Sequence, residues 1–530
     1  MHWIRIVGVL LLISVLAACR TDFNFTPTIA PLAFSEDTVY LDTVFSHTGS
    51  STYRFKVYNR SKDNISIPSI QLANGTGSKF RLMVDGLTGK DENNDGIGDG
   101  KRFEQVELLA EDSLFVMVEV TADIQDANPQ TMLYTDEVLF QAPGQTQKVN
   151  LVTLVQDAYF IYPKRLTATT YEGISLGLDD AGQNKTFYGC PLDENDPVNG
   201  NELHWRNDKP YVIYGYAQVP DGKTLTVDPG ARVHFHANSG LVVSKNGHIK
   251  VQGGPPPAHD PDRLDNEVIF EGDRLEPEFA NVPGQWGTVM LLSQANDNVL
   301  EHLTIRNATV GLLVQNYATL TDPGYAKVSL RNVQMYNHSN VGILARKAMV
   351  TGKNLAIGDA GQASIACSMG GQYSFEHCTL YNTWPGSKPV ALSLDNYFLN
   401  ADNSITPFDL TQASFVNCIL YSSNSKAIGI SKTDQAAFAT NFENNLIRYQ
   451  TFSSTLPAEF QFLADNNPFG NLTNQSPKFV GHKNHPFQLD TGSAALGQGQ
   501  VITPTYNDLL DFARPSAPQR PDIGAYQKQP

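Results

Sequence analysis

The chain has 530 residues, 41% hydrophobic and 17% charged, enough apolar material for more than one buried core and too much for a disordered chain. Its formal net charge of −16 argues against a nucleic-acid partner, whose phosphates require clustered Lys and Arg, and disfavours a polyanionic substrate. With 41 Gly, 30 Pro, 27 Phe and 21 Tyr, strands and turns are expected ahead of long helices.

The first predicted element is an export signal over residues 1–19. One Arg precedes an apolar run from Ile6 to Ala18 that is too short to span a bilayer, and small residues lead into Cys19. The phrase "LAAC" resembles the lipobox of bacterial lipoproteins. That resemblance implies lipidation at Cys19 and attachment to a membrane through the acyl chains. Arg20 and Thr21 follow the Cys, so the Asp of an inner-membrane retention signal is missing from the next position, which favours the outer membrane. The sequence leaves the periplasmic and extracellular faces both open. Residues 20–35, with two prolines and no periodicity, read as a tether.

Residues 36–156 carry about seven short alternating runs separated by turn residues, among them "TYRFKVYNRS", "ISIPSIQLA" and "DSLFVMVEV". That density of strands predicts an immunoglobulin-like β-sandwich. The order of these phrases resembles the immunoglobulin-like domains of the abnormal-spindle and Hydin type, which implies a spacer or docking module. Within this segment "DENNDGIGDGKRF" sets Asp91, Asn93, Asp95 and Asp99 at positions one, three, five and nine of a loop, with Gly96 at six and the Ile97 carbonyl at seven. This is the oxygen spacing of a calcium loop, so Ca2+ is an expected cofactor; an acidic hairpin tip is the alternative. Position twelve is Arg102 where a bidentate Glu is usual, with Glu104 as a substitute.

From residue 157 to 526 the predicted element is a right-handed parallel β-helix. A phrase of the form apolar–x–(His/Asn)–apolar recurs, and its third residues are His302, Asn332, Asn354, His377, Asn417 and Asn444. Irregular steps of 30, 22, 23, 40 and 27 residues around one phrase describe loops of variable length on fixed strands. Asn tolerates a left-handed backbone and can hydrogen-bond to its copy in the next coil, about 4.8 Å away. The first inward column then reads Leu303, Val333, Leu355, Cys378, Cys418 and Asn445. The two cysteines are expected as inward neighbours unless the 40-residue step holds an extra coil around "PVALSLDN", and as buried free thiols rather than a disulfide, because in-register parallel neighbours present poor dihedral geometry. The ending "SPKFVGHKNHPFQLDTGSAALGQG … DIGAYQ" resembles the closing segment of bacterial β-helix proteins of the choice-of-anchor Q type. Together with the lipobox it implies a surface lipoprotein of Gram-negative bacteria. The fold class expected for the whole chain is all-β.

Across residues 157–526 no Gly-His-Gly or Arg-x-Lys phrase marks a polysaccharide-cleaving site. The one adjacent Asp pair, Asp179–Asp180, precedes the readable repeats. The outward column reads Arg306, Tyr336, Gly358, Tyr381, Tyr421 and Arg448. A tyrosine row flanked by Arg suits a sugar chain or a partner protein, and also suits an aromatic ladder that only stabilises the sheet or lies under a loop. The expected role is therefore non-catalytic: binding a polysaccharide, or serving an envelope protein complex as an accessory subunit. A polysaccharide lyase or glycoside hydrolase acting on the β-helix face is the alternative, and a purely structural spacer the third reading.

Overall fold

The computed structural model describes residues 24–28, 31–178, 183–315, 323–450, 456–464 and 468–529, and the chain divides into two compact units after Asp157. Cys19 and Asp179–Asp180 lie outside the described residues. Among those described, no helix is long and apolar enough to cross a membrane.

The N-terminal unit is a β-sandwich. In one sheet Ile65–Leu72 pairs with Arg102–Leu108 and with Leu133–Ala142; Gln145–Gln156 continues the order, and Thr38–Phe45 pairs parallel to it at the edge. The other sheet runs Ala33–Phe34, Tyr53–Tyr58, Ser113–Val120, Phe80–Val84. Alternation decides which face turns inward: Leu114, Val116, Val118 and Val120 are buried while the residues between them are not. Phe55 of one sheet meets Phe140 of the other edge-on, with ring centroids 6.3 Å apart.

The C-terminal unit is a right-handed parallel β-helix; its sheet has 26 described strands, all paired parallel except Gly173–Leu178, which pairs antiparallel with Asn184–Pro191. Its registers stack like on like: Phe375 on Phe415, Tyr381 on Tyr421, Leu303 on Val333. All six recurring His and Asn residues have positive φ, between 45° and 57°. A left-handed residue there turns the chain from one strand to the next. Asn and His accept that conformation because a short polar side chain can bond locally. Asn332 bridges neighbouring coils, meeting His302 Nε2 at 2.8 Å and accepting from Asn354 Nδ2 at 2.8 Å; Asn417 meets His377 Nε2 at 2.9 Å.

Inside, Phe375, Phe415 and Phe442 stack with centroids 5.2 Å apart at each step, and Phe462 closes the column at 4.1 Å. The 40-residue step holds no extra coil. Val390–Asp395 stacks directly between Ala363–Glu376 and Ile428–Ser431, and the surplus forms an antiparallel hairpin of Tyr397–Leu399 with Ile405–Pro407. Cys378 and Cys418 are accordingly inward neighbours, and they, Cys190 and Cys367 are buried free thiols.

The ladder has a pH signature. Burial, aided by Arg331, pushes His302 down to about 4, whereas an unfolded chain titrates it near 6.5. Because the folded value is depressed, the group's contribution is complete above about pH 6.5 and is lost as pH falls through 4, about 3 kcal/mol in all. H302N installs the residue other coils use at this turn. The unfolding free energy of wild type should therefore fall by roughly that amount, about 3 kcal/mol, relative to H302N between pH 7 and pH 4. Parallel denaturant-melting curves at the two pH values would mean that His302 titrates normally in the fold.

Candidate active site

Three strands of the early coils build a charged row on the outer face. Along Val268–Gly272 the alternation buries Val268 and Phe270 in the core and turns Glu267, Ile269 and Glu271 outward. Register sets His234 beside Glu271 on one side, and the pairing of Phe270 with Ile305 brings Arg306 to its other side. Arg306 donates to Glu271 Oε2 through Nε at 2.7 Å, with Nη2 at 2.6 Å, while His234 Nδ1 stands 3.7 Å from Oε1. Burial holds His234 below its ordinary range.

Asp273 follows on the same strand end. Its N–H donates to the Phe235 carbonyl at 3.1 Å, so the ladder continues through it, and its Oδ2 lies 2.7 Å from His236 Nδ1. The His236 ring lies tilted against Tyr214, with centroids 4.5 Å apart. The two carboxylates thus share one face two residues apart, with α-carbons about 6.6 Å apart. Their side chains are 18% and 13% exposed, while Arg306 and His236 open more widely to solvent. A third carboxyl, Glu267, is sealed away. Thr304 Oγ1 and Gln334 Nε2 donate to it, and burial pushes its carboxyl upward.

Sequence reasoning placed Arg306 in the outward row but missed Glu271, Asp273, His234 and His236. The recurring phrase is readable only from residue 300, and the earlier coils turn without it. The alternation in "ARVHFHA" and "NEVIFEGD" was the available signal.

The tyrosine row is in register as expected, Arg306 on Tyr336 and Gly358 on Tyr381 on Tyr421. It is not an open face. The C-terminal segment runs back along it. Phe487 packs on Tyr336 and Tyr381 at 5.9 and 5.6 Å, Phe479 on Tyr381 at 5.1 Å, and Tyr526 donates to Gln334 Oε1 at 3.2 Å. Arg448 lies over the Tyr421 ring at 5.3 Å and donates to its hydroxyl at 3.4 Å. The row is an aromatic ladder beneath a cover, because apolar ring faces lose more by exposure than the sheet gains by leaving them bare.

In the acidic loop, Asp91 accepts from the N–H groups of Asp95 and Gly96, Asp95 from that of Ile97, and Asp99 from Glu92 N and Asn93 Nδ2. Glu104 is held by Lys90 at 2.6 Å and Arg102 at 2.8 Å, so the substitute for the missing twelfth-position ligand is engaged elsewhere. Among the described residues no group of three or more His, Cys, Asp and Glu is placed to hold a metal ion.

No family model matches this chain, and neither does any curated protein. Among solved structures, the catalytic unit of a family 87 α-1,3-glucanase from Streptomyces thermodiastaticus is 13% identical, covers 75% of each chain and has a TM-score of 0.31. A family 123 glycoside hydrolase from Clostridium perfringens is 6% identical over 24% of this chain, with a TM-score of 0.16; the match spans 30% of that protein's length. A PapD-like domain of human CEP192 is 12% identical over 26% of this chain and 96% of its own, with a TM-score of 0.14. The expected non-catalytic role, glycan binding or accessory subunit, is corrected here: the tyrosine row that carried it lies beneath the C-terminal segment and offers no open face.

Proposed function

We propose that this protein is a carbohydrate-active enzyme that hydrolyses a polysaccharide on the β-helix face carrying Glu271 and Asp273. One observation carries the reading: two carboxylates share a strand end, mostly shielded from solvent, one paired with Arg306 and the other with His236. Glycoside hydrolysis needs two carboxyl groups on either side of the scissile bond. Glu271 faces Arg306, a permanent cation, and takes the role of base toward water. Asp273, whose Oδ2 lies 2.7 Å from His236 Nδ1, stands on the acid side, because the imidazole beside it can relay a proton. The water oxygen bonds to the anomeric carbon, its proton passes to Glu271, the glycosidic C–O bond breaks, and the leaving oxygen takes a proton from the Asp273–His236 pair. The test is release of reducing ends from a polysaccharide panel by wild type, E271Q and D273N. Cleavage by wild type that is lost in both folded variants supports the reading; cleavage retained in both overturns it.

The chain reads further as a lipoprotein of the choice-of-anchor kind, anchored in the outer membrane through Cys19. The support is the lipobox "LAAC" and the absence of Asp at the position after Cys19. Cells fed labelled palmitate should mark the wild-type chain and not C19A, which should leave the membrane fraction. A C19A chain that stays labelled and membrane-bound would exclude this anchor.

A further inference from the structure

Around the corner from the carboxylates lies a groove of about 450 Å³, lined by Phe187, Tyr188, Tyr216, Asn238, Thr288 and Thr309. It continues the candidate active site along the chain. Asn238 stands two residues beyond His236, and Thr309 three beyond Arg306. Tyr216 stands two beyond the Tyr214 that packs against His236.

The corner is cleared by glycines. A Cβ on Gly287 would come 2.3 Å from the Tyr216 hydroxyl, one on Gly240 2.5 Å from its ring, and one on Gly215 2.8 Å from the Tyr188 ring. The backbone can approach these rings closely because no side chain intervenes. Tyr216 is braced edge-on by Phe187 at 5.6 Å. Tyr188 is 49% exposed and meets the equally open Tyr171 edge-on at 5.7 Å. Among the described residues no hydrogen bond engages the Tyr216 hydroxyl or the Asn238 amide.

We infer that this groove is a substrate subsite for a neutral sugar chain, seated with a pyranose face on Tyr188 and its hydroxyls on Asn238 and Tyr216. The inference rests on the hydrolase reading and adds the substrate class. An exposed ring with unpaired neutral donors and acceptors suits the apolar face and hydroxyl rim of a sugar. The lining holds no Lys, Arg, Asp or Glu, so nothing in it pairs a uronate or sulfate, and the chain's net charge of −16 repels such polymers.

The test is affinity electrophoresis of the full chain through gels carrying α- and β-linked neutral glucans or polygalacturonate. Wild type, Y188A, N238A, G287V and E271Q are compared. Expected is retardation by a neutral glucan, weakened tenfold or more in Y188A and in G287V, whose added side chain fills the floor, and kept in E271Q. No retardation by any neutral glucan overturns the inference. So does equal retardation of folded Y188A, N238A and G287V, or stronger retardation by polygalacturonate. Because E271Q reports on cleavage and the groove variants on binding, the two readings fail separately: a groove that binds while E271Q still cleaves sinks the carboxylate assignment alone.

Discussion

Replacing Glu271 by Gln, or Asp273 by Asn, should lower polysaccharide cleavage about 100-fold or more while the protein stays folded. Both changes keep shape and hydrogen-bonding reach and remove only the ionisable oxygen. The Glu271 side chain is 18% exposed and its partner Arg306 32%, so the pair is partly screened and its loss costs about 0.2–1 kcal/mol of stability. Catalysis and folding therefore separate. Acid and base act in one transition state, so the double variant should fall little below the worse single one. A merely structural ion pair makes the opposite forecast, with lowered melting temperatures and unchanged cleavage in both variants. R306K is a useful third arm. It keeps the charge but loses the planar fork that donates through Nε and Nη2, so cleavage should weaken without vanishing.

The second large effect is expected at Arg514, which fastens the C-terminal cover to the coils. Its Nη2 donates to Asn354 Oδ1 at 2.9 Å and to the Gly524 and Ala525 carbonyls at 3.0 and 3.1 Å. Asp508 and Asp522 balance its charge within the same buried segment. R514M fills similar space but leaves the Asn354, Gly524 and Ala525 oxygens without their buried donor and removes the counter-charge of both carboxylates, so unfolding free energy should drop by about 3–5 kcal/mol. Adding D508N should restore part of that loss, because the neutral amide no longer needs the cation. The loss should also depend on pH. Burial raises Asp508 to about 6 despite Arg514, above its unfolded value near 3.9. A raised carboxyl contributes stability that is complete below the unfolded value and lost as pH rises through the folded one. Without Arg514 the folded value moves higher still, so R514M should lie closest to wild type near pH 5 and fall furthest behind at pH 8. Equal losses at both pH values, with no recovery in D508N/R514M, would mean that the cover is held by packing alone.

The coils were legible because their signals are local. A left-handed turn favours Asn, His or Gly, so the positions of His302, Asn332, Asn354, His377, Asn417 and Asn444 wrote the coil boundaries into the text. Alternation around them then fixed the inward column through Cys378 and Cys418 and the outward row through Tyr381 and Tyr421. The early coils turn on other residues, so Glu271 could not be aligned with Arg306 although only 35 residues separate them.

By itself, then, the sequence determined the all-β class, the β-helix and which side chains share a column, because backbone conformation and period-two alternation are set by neighbouring residues. Only the tertiary structure decided which columns are open. The tyrosine row of Tyr336 and Tyr381 is closed by Phe479, Phe487 and Tyr526, more than 90 residues later in the chain. The Glu271–Asp273 row stays partly open to solvent. Exposure depends on which distant segment returns to cover a face, and that is set by long-range packing, which no local pattern encodes.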